Sequence, residues 1–289
     1  MADFRDAHDR IRPAIVGLGI RNGDDLEIFG TGFIINDSGV ILTNRHVLEP
    51  MLEGAPTGTR IRQGACGFFF TPGPESKTHA MQQLAVMQIH RIDLFDDQPR
   101  PSSEPPIPPP NLDVTLLSHG TSPAADVAIC GIPLSQQSAQ PSVPVTAASV
   151  VNSRNVRVGT EVGMLGFPLG LPLALKDPAT QSQFSPLLQV GVIAGILPFP
   201  QVPQPHAFML ALAVNGGSSG SPLFLSDGTV VGVVYARRRH LERMVRIDPN
   251  TGQVITSPNE DLVDVRTSLG FAVPTASFPS RLKQLLGIE

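Results

Sequence analysis

The chain has 289 residues, 41% of them hydrophobic and 16% charged, with a formal net charge of −4. That composition can bury a core, and its acidic balance argues against a protein built around nucleic-acid phosphates, which demand concentrated Lys and Arg. With 27 glycines, 29 prolines and no Trp, it favours short strands and many turns over long helices.

Residues 3–11 read as one or two helical turns with Phe4, Ala7 and Ile11 on one side. A meander follows, with strands at Ala14–Ile20, Gly30–Ile35 and Val40–Thr43, separated by turns at Asn22-Gly23-Asp24-Asp25 and Asn36-Asp37-Ser38-Gly39. Residues 71–118 change character. They hold a strand-like Leu84–Ile89 and then a Pro-rich run from Pro99 to Pro110, which cannot join a ladder and reads as an inserted surface loop, with a docking peptide as the other reading. Strands resume at Val114–Leu117 and Val127–Cys130, and the polar, Pro-rich residues 133–144 read as a linker between halves. The second half repeats the short-strand style at Glu161–Gly166, Leu188–Gly195, Phe208–Val214, Val230–Tyr235 and Leu269–Val273. Arg237-Arg238-Arg239-His240 reads as a solvated loop after a strand. Leu282, Leu285 and Leu286 mark a short amphipathic C-terminal helix, with Ser277 or Ser280 as its N-cap. The expectation is an all-β chain of two halves, residues 1–135 and 136–289.

Cys66 and Cys130 are too few for a disulfide framework or a four-ligand zinc site, and no cofactor or metal site is expected. Cys130, in an apolar run, reads as a packing residue. The N-terminus lacks an apolar signal-peptide core and no run is long enough to span a membrane, so the expectation is a soluble cytoplasmic protein.

Nucleophilic catalysis by serine needs a hydroxyl, a base, an acid to orient the base, and donors for the developing oxyanion. Among seven histidines, His46 stands out because it follows the strand Val40–Thr43 at the start of a helical turn. Asp126 opens an apolar strand, where an acid is costly without a partner, although a turn-capping role fits equally and Asp113 competes. Asn215-Gly216-Gly217-Ser218-Ser219-Gly220-Ser221-Pro222 offers three serines in a glycine-bounded turn, where backbone amides can converge.

Five segments, in order, resemble the chymotrypsin-fold serine proteases, and within them the bacterial HtrA/Deg-like trypsin branch. They are GTGFIINDSGVILTNRHVL (30–48), ADVAI (125–129), VGTEVGMLGFPLG (158–170), LQVGVIAGI (188–196) with NGGSSGSP (215–222), and GFAVP (270–274). The resemblance implies two packed six-stranded antiparallel β-barrels with the site in the cleft between them, plus the short terminal helix. It implies a serine endopeptidase with Ser219 as nucleophile, His46 as general base and Asp126 as its orienter. The amides of Gly217 and Ser219 would form the oxyanion hole. The same likeness puts Ala213, Val233, Val234 and Tyr235 around the pocket for the residue before the cleaved bond, and alanine at 213 implies a small or aliphatic preference there. Ser218 and Ser221 stand where the family usually has Asn and Gly, and the interval from His46 to Asp126 is lengthened by the 71–118 insert. No PDZ domain is expected after the terminal helix. The implied partners are a protein or peptide substrate and a regulatory protein, with neither nucleic acid nor membrane; the oligomeric state is not legible. The alternative reading is a latent or inactive relative that binds peptides or partners.

Overall fold

The computed structural model describes residues 2–23, 25–53, 60–75, 80–94, 126–133, 146–168, 186–197, 207–243, 246–247, 254–255 and 262–288. The first half supplies β1 (Ile15–Asn22), β2 (Asp25–Ile34), β3 (Val40–Thr43), β4 (Leu52–Glu53), β5 (Arg60–Ile61), β6 (Ala65–Glu75), β7 (Ala80–Gln88), β8 (Arg91–Asp93) and β9 (Ala128–Gly131). The second supplies β10 (Glu161–Gly166), β11 (Leu187–Leu197), β12 (Ala207–Ala211), β13 (Pro222–Phe224), β14 (Val230–Arg243), β15 (Arg246–Ile247), β16 (Val254–Ile255) and β17 (Leu262–Pro274). The α-helices are short: α1 (Arg5–Ile11), α2 (Arg45–Leu48) and α3 (Ser280–Leu286). The expected strand at Val114–Leu117, the Pro99–Pro110 run and the linker from 134 onward lie outside the described residues.

The second half closes into a six-stranded barrel in the order β10-β11-β12-β17-β14-β13, with β13 pairing back to β10 through Gly163↔Phe224 and Met164↔Leu223. Inward-facing residues alternate along each strand, so Val162 and Met164 of β10 meet Phe208 and Leu210 of β12 in one buried cluster. The first half forms a seven-stranded sheet ordered β7-β6-β1-β2-β3-β9-β8. Its two edge strands are consecutive in the chain, with only Ile89 and His90 between them. Three Cα steps cover no more than about 11 Å, so the sheet must curl until its edges meet. Those two residues stitch the seam: the Ile89 amide donates to the Ala65 carbonyl at 3.0 Å and the His90 amide to the Gly131 carbonyl at 3.1 Å. The architecture is the chymotrypsin-like one, with one closed barrel and one curled half-barrel sheet. Much of what composition set apart from Thr71 onward is sheet, as β7 and β8.

The chain ends sew the halves together. Phe4, Ala7 and Ile11 of the first helix are buried as the pattern predicts, and the Phe4 ring meets Phe224 of β13 edge-on at 6.0 Å. Arg10 donates to the Asp227 carbonyl at 3.1 Å. Leu282 of α3 is fully buried, and Arg281 pairs with Asp93 of β8 at 3.4 Å. Two expectations for α3 fail. Leu285 is 51% exposed, because a seven-residue helix lying on one side presents only part of its leucine stripe. Pro279 holds the N-cap position with no side-chain cap, so Ser280 is instead the first helical residue and Ser277 ends the preceding 3₁₀ turn.

Arg237-Arg238-Arg239-His240 is strand, not loop. It continues β14 against β17, with Arg237 opposite Gly270, Arg239 opposite Arg266 and His240 opposite Val265. Ladder hydrogen bonds override a local run with no apolar alternation. Cys66 and Cys130 are both buried and unpaired by disulfide. Burial pushes the Cys66 thiol up to about 11 and the Cys130 thiol higher still, so neither supplies a thiolate near neutrality. Among the described residues, no helix is long and apolar enough to cross a membrane.

Candidate active site

His46 and Asp126, 80 residues apart in sequence, meet at the mouth of the first sheet. β3 pairs with β9 from Val40↔Gly131 to Thr43↔Ala128, so the two chain ends that leave this ladder lie side by side. One runs into α2 and carries His46; the other carries Asp126. The His46 ring places Nδ1 at 2.8 and 3.0 Å from the two carboxylate oxygens of Asp126. The His46 amide donates to the same carboxylate at 3.2 Å. Asp126 thereby takes the place of a capping side chain for α2, whose own N-cap residue, Asn44, makes no cap bond. Asn44 is used differently: its Nδ2 donates to the Asp126 carbonyl at 2.8 Å and fixes the acid's backbone. A carboxylate so placed makes Nδ1 the protonated ring nitrogen, leaving Nε2 as the basic one. Among the described residues Nε2 has no partner. Burial alone would lower the His46 pKa, but the Asp126 hydrogen bond and charge, aided by Glu49, outweigh it and raise the pKa above the usual imidazole value.

The serine-rich turn packs against the opposite side of the same corner. Gly30 in β2 marks the convergence: a Cβ there would lie 2.6 Å from Val47, the neighbour of His46, and 2.8 Å from the Ser219 carbonyl. Gly217 and Gly220 both have φ of +85°, a backbone conformation that L side chains rarely adopt. Within the turn, the Ser218 amide donates to Asn215 O at 3.0 Å and the Gly220 amide to Val234 O at 2.7 Å. The amides of Gly217 and Ser219 have no acceptor among the described residues. The Ser219 hydroxyl donates to the Tyr235 carbonyl at 3.3 Å and not to His46. Ser221 is fully buried, and among the described residues its hydroxyl has no hydrogen-bond partner. Sequence reasoning missed Thr31. This fully buried residue of β2 donates through its hydroxyl to Gly217 O at 2.8 Å and through its amide to Ser219 O at 2.7 Å. Its one legible signal is its place between Gly30 and Gly32, small neighbours that admit a close backbone approach.

The family model of the trypsin-like peptidase domain matches residues 30–233. The chain belongs to the trypsin-like peptidase family. It is 33% identical over 95 residues to the magnetosome formation protease MamE of Paramagnetospirillum magneticum, a match covering 32% of this chain and 11% of MamE. The aligned stretch is thus about a tenth of that relative's length. Among solved structures, an HtrA-type protease, AlgW, with a tripeptide aligns over 98% of this chain and 64% of its own, at 15% identity and a TM-score of 0.49. A serine endoprotease from Yersinia pestis aligns over 99% and 67%, also at 15% identity and a TM-score of 0.49.

Of the four residues expected around the specificity pocket of this trypsin-like peptidase, two do not offer side chains to a ligand. Val233 and Val234 are both fully buried, Val233 in the cluster shared by the two halves and Val234 inside the closed barrel. Strand alternation sends one side chain to each core. Ala213 is exposed and Tyr235 half-buried. The Tyr235 ring lies 6.3 Å from that of Phe271. Burial, with the Asp126 charge adding to it, raises the Tyr235 phenol well above its usual range, so it stays neutral. Among the described residues, no cluster of His, Cys, Asp and Glu is arranged to hold a metal ion.

Proposed function

We propose that this chain is a serine endopeptidase in which Ser219 attacks, His46 serves as base and then acid, and Asp126 orients His46. The observation that carries this reading is the His46–Asp126 pair, which fixes one ring nitrogen and leaves Nε2 without a partner among the described residues, while Val47, next to His46, and the Ser219 carbonyl both crowd Gly30. In the first step Ser219 turns about χ1 from the Tyr235 carbonyl toward Nε2. Its Oγ bonds to the substrate carbonyl carbon while its proton passes to Nε2. The oxyanion accepts from the Gly217 and Ser219 amides, neither of which has an acceptor among the described residues to surrender. Collapse breaks the C–N bond as Nε2 returns the proton to the leaving amine; water then bonds to the acyl carbon as its proton passes to Nε2, and the ester bond to Ser219 Oγ breaks as Nε2 returns that proton to the serine.

The substrate would lie extended along β14. Ala213 leaves room for a small or aliphatic residue before the cleaved bond and supplies no charge to hold Lys or Arg. Arg237, Arg238 and Arg239 follow Tyr235 on the same strand, so acidic residues upstream of that bond would be favoured. The test is cleavage of a mixed peptide library by the wild type and by Ser219→Ala. Cleavage after small aliphatic residues, lost in the variant, supports the reading; cleavage dominated by Lys or Arg overturns the pocket assignment. A second reading, a latent form that binds peptides without cutting them, draws support from the Ser219–Tyr235 hydrogen bond. It predicts peptide binding with no turnover by the wild type.

A further inference from the structure

Thr31 sits in the first-half sheet, yet its hydroxyl and its amide both serve the junction with the second barrel. Its hydroxyl donates to Gly217 O at 2.8 Å and accepts from the Phe167 amide at 3.0 Å. Its amide donates to Ser219 O at 2.7 Å, and its carbonyl accepts the Thr43 hydroxyl at 2.6 Å. One residue with no exposed surface thus ties together β2, β3, the chain just past β10 and the serine turn.

The consequence is geometric. The peptide plane between Gly217 and Ser218 is held at its oxygen by the Thr31 hydroxyl and at its N–H by Asn215 O. The plane between Ser219 and Gly220 is held at its oxygen by the Thr31 amide and at its N–H by Val234 O. The intervening plane, which carries the Ser219 N–H, is bracketed by two that cannot rotate. Glycine at 217 leaves that backbone free to flip on steric grounds alone, so some bond must decide its orientation. The hydroxyl of Thr31 supplies it, from a strand held in a β-ladder on both sides.

We propose that Thr31 is a positioning residue of this site: its hydroxyl sets the aim of the Ser219 amide and so governs stabilisation of the oxyanion, while leaving substrate binding to other groups. This rests on the endopeptidase reading for its kinetic consequence, and not for its structural one. Two variants separate the hydroxyl from the packing. Thr31→Val keeps the shape and removes the hydrogen bonds; Thr31→Ser keeps the hydroxyl and removes a methyl.

Peptide hydrolysis by Thr31→Val is expected to lose kcat by about 10²-fold, the scale of losing one oxyanion donor, with KM within about threefold of wild type. Thr31→Ser is expected to stay within about fivefold of the wild-type kcat, the size of a difference near 1 kcal/mol. Amide hydrogen exchange over residues 215–221, which needs no turnover, is expected to quicken at least about tenfold in Thr31→Val and stay near wild type in Thr31→Ser, with exchange in β10–β12 unchanged. Unaltered exchange at 215–221 in Thr31→Val, or a Ser variant as impaired as the Val variant, overturns the proposal. Failure of Thr31→Val to fold, with a Thr31→Ala chain failing likewise, overturns it too, because the hydroxyl then serves the fold at large. If exchange responds as expected while the wild type and Ser219→Ala hydrolyse peptides equally, the positioning stands and the endopeptidase reading falls.

Discussion

The Ser219 hydroxyl rests on the Tyr235 carbonyl at 3.3 Å, and Tyr235 lies at a register shift in β14, where Val234 faces Ala272, Ala236 faces Phe271 and no β17 residue opposes it. The shift leaves a strand carbonyl free to take a hydroxyl from the neighbouring turn. The same strand therefore supports the nucleophile's resting place and the expected track of the substrate.

That resting bond is too weak to act as a lock. A neutral hydrogen bond contributes about 1 kcal/mol net, and one this long contributes no more. It can slow attack by roughly fivefold and no further. Purified protein should therefore react with a small fluorophosphonate without an added activator. Labelling that rises by several orders of magnitude only when a partner or peptide is present would show a larger barrier than the Ser219 rotamer.

The pH dependence has a definite direction. His46 works as a base only when neutral, and its folded pKa is raised, so kcat/KM should climb with pH through a midpoint above about 6.5. The linkage to stability runs the other way. The raised pKa adds stability that is full below the unfolded value of about 6.5 and fades as pH rises through the folded value. Asp126→Asn should move the kinetic midpoint down and cut kcat by a factor on the order of 10⁴, as in the chymotrypsin-type triad. A pH–rate profile of both proteins checks this; a midpoint unmoved in the variant counts against the pairing.

Gly220→Ala should be costly. The position has φ of +85°, and an added Cβ would sit 1.8 Å from the Thr31 carbonyl and 2.3 Å from the Thr43 hydroxyl. Left-handed strain alone costs about 1–3 kcal/mol, and the clash adds to it. Thermal unfolding should show a drop of several degrees or a chain that does not fold. A variant as stable as wild type would mean that the turn sits farther from β2 than described.

Ser221→Ala should be neutral or stabilising. The hydroxyl is buried without a hydrogen-bond partner among the described residues. Removing an unsatisfied buried hydroxyl recovers about 1 kcal/mol of desolvation cost. The midpoint of thermal unfolding should hold or rise by a few degrees, and a fall of more than about 2 kcal/mol would contradict the absence of a partner.

Some of this was legible in the sequence because local pattern and final structure agree. Val40–Thr43 and Glu161–Gly166 are strands with those bounds, and Phe4, Ala7 and Ile11 face the core together. The His46 and Asp126 positions were readable because each sits at the end of an apolar strand, where an ionisable group needs a reason. What escaped depends on distant pairing. β6 runs through Phe68-Phe69-Phe70-Thr71-Pro72 with no polar alternation, and its ladder with β7 marks it as strand. The arginine run extends β14 because β17 lies beside it, which nothing within the run reveals. Thr31 looks like an ordinary strand residue until Gly217 and Ser219 arrive from almost 190 positions away, a separation of 186 for the first bond. Val233 fills the cluster shared by the two halves and Val234 the inside of the closed barrel, because this stretch of β14 has a core on each face.

Of three neighbouring serines, one is expected to react. Mass-spectrometric mapping of a fluorophosphonate adduct on the folded chain identifies it, with Ser219→Ala and Ser218→Ala labelled in parallel. A single adduct on Ser219 is expected, absent in Ser219→Ala and retained in Ser218→Ala. An adduct on Ser218 or Ser221, or labelling that persists in Ser219→Ala, would contradict it.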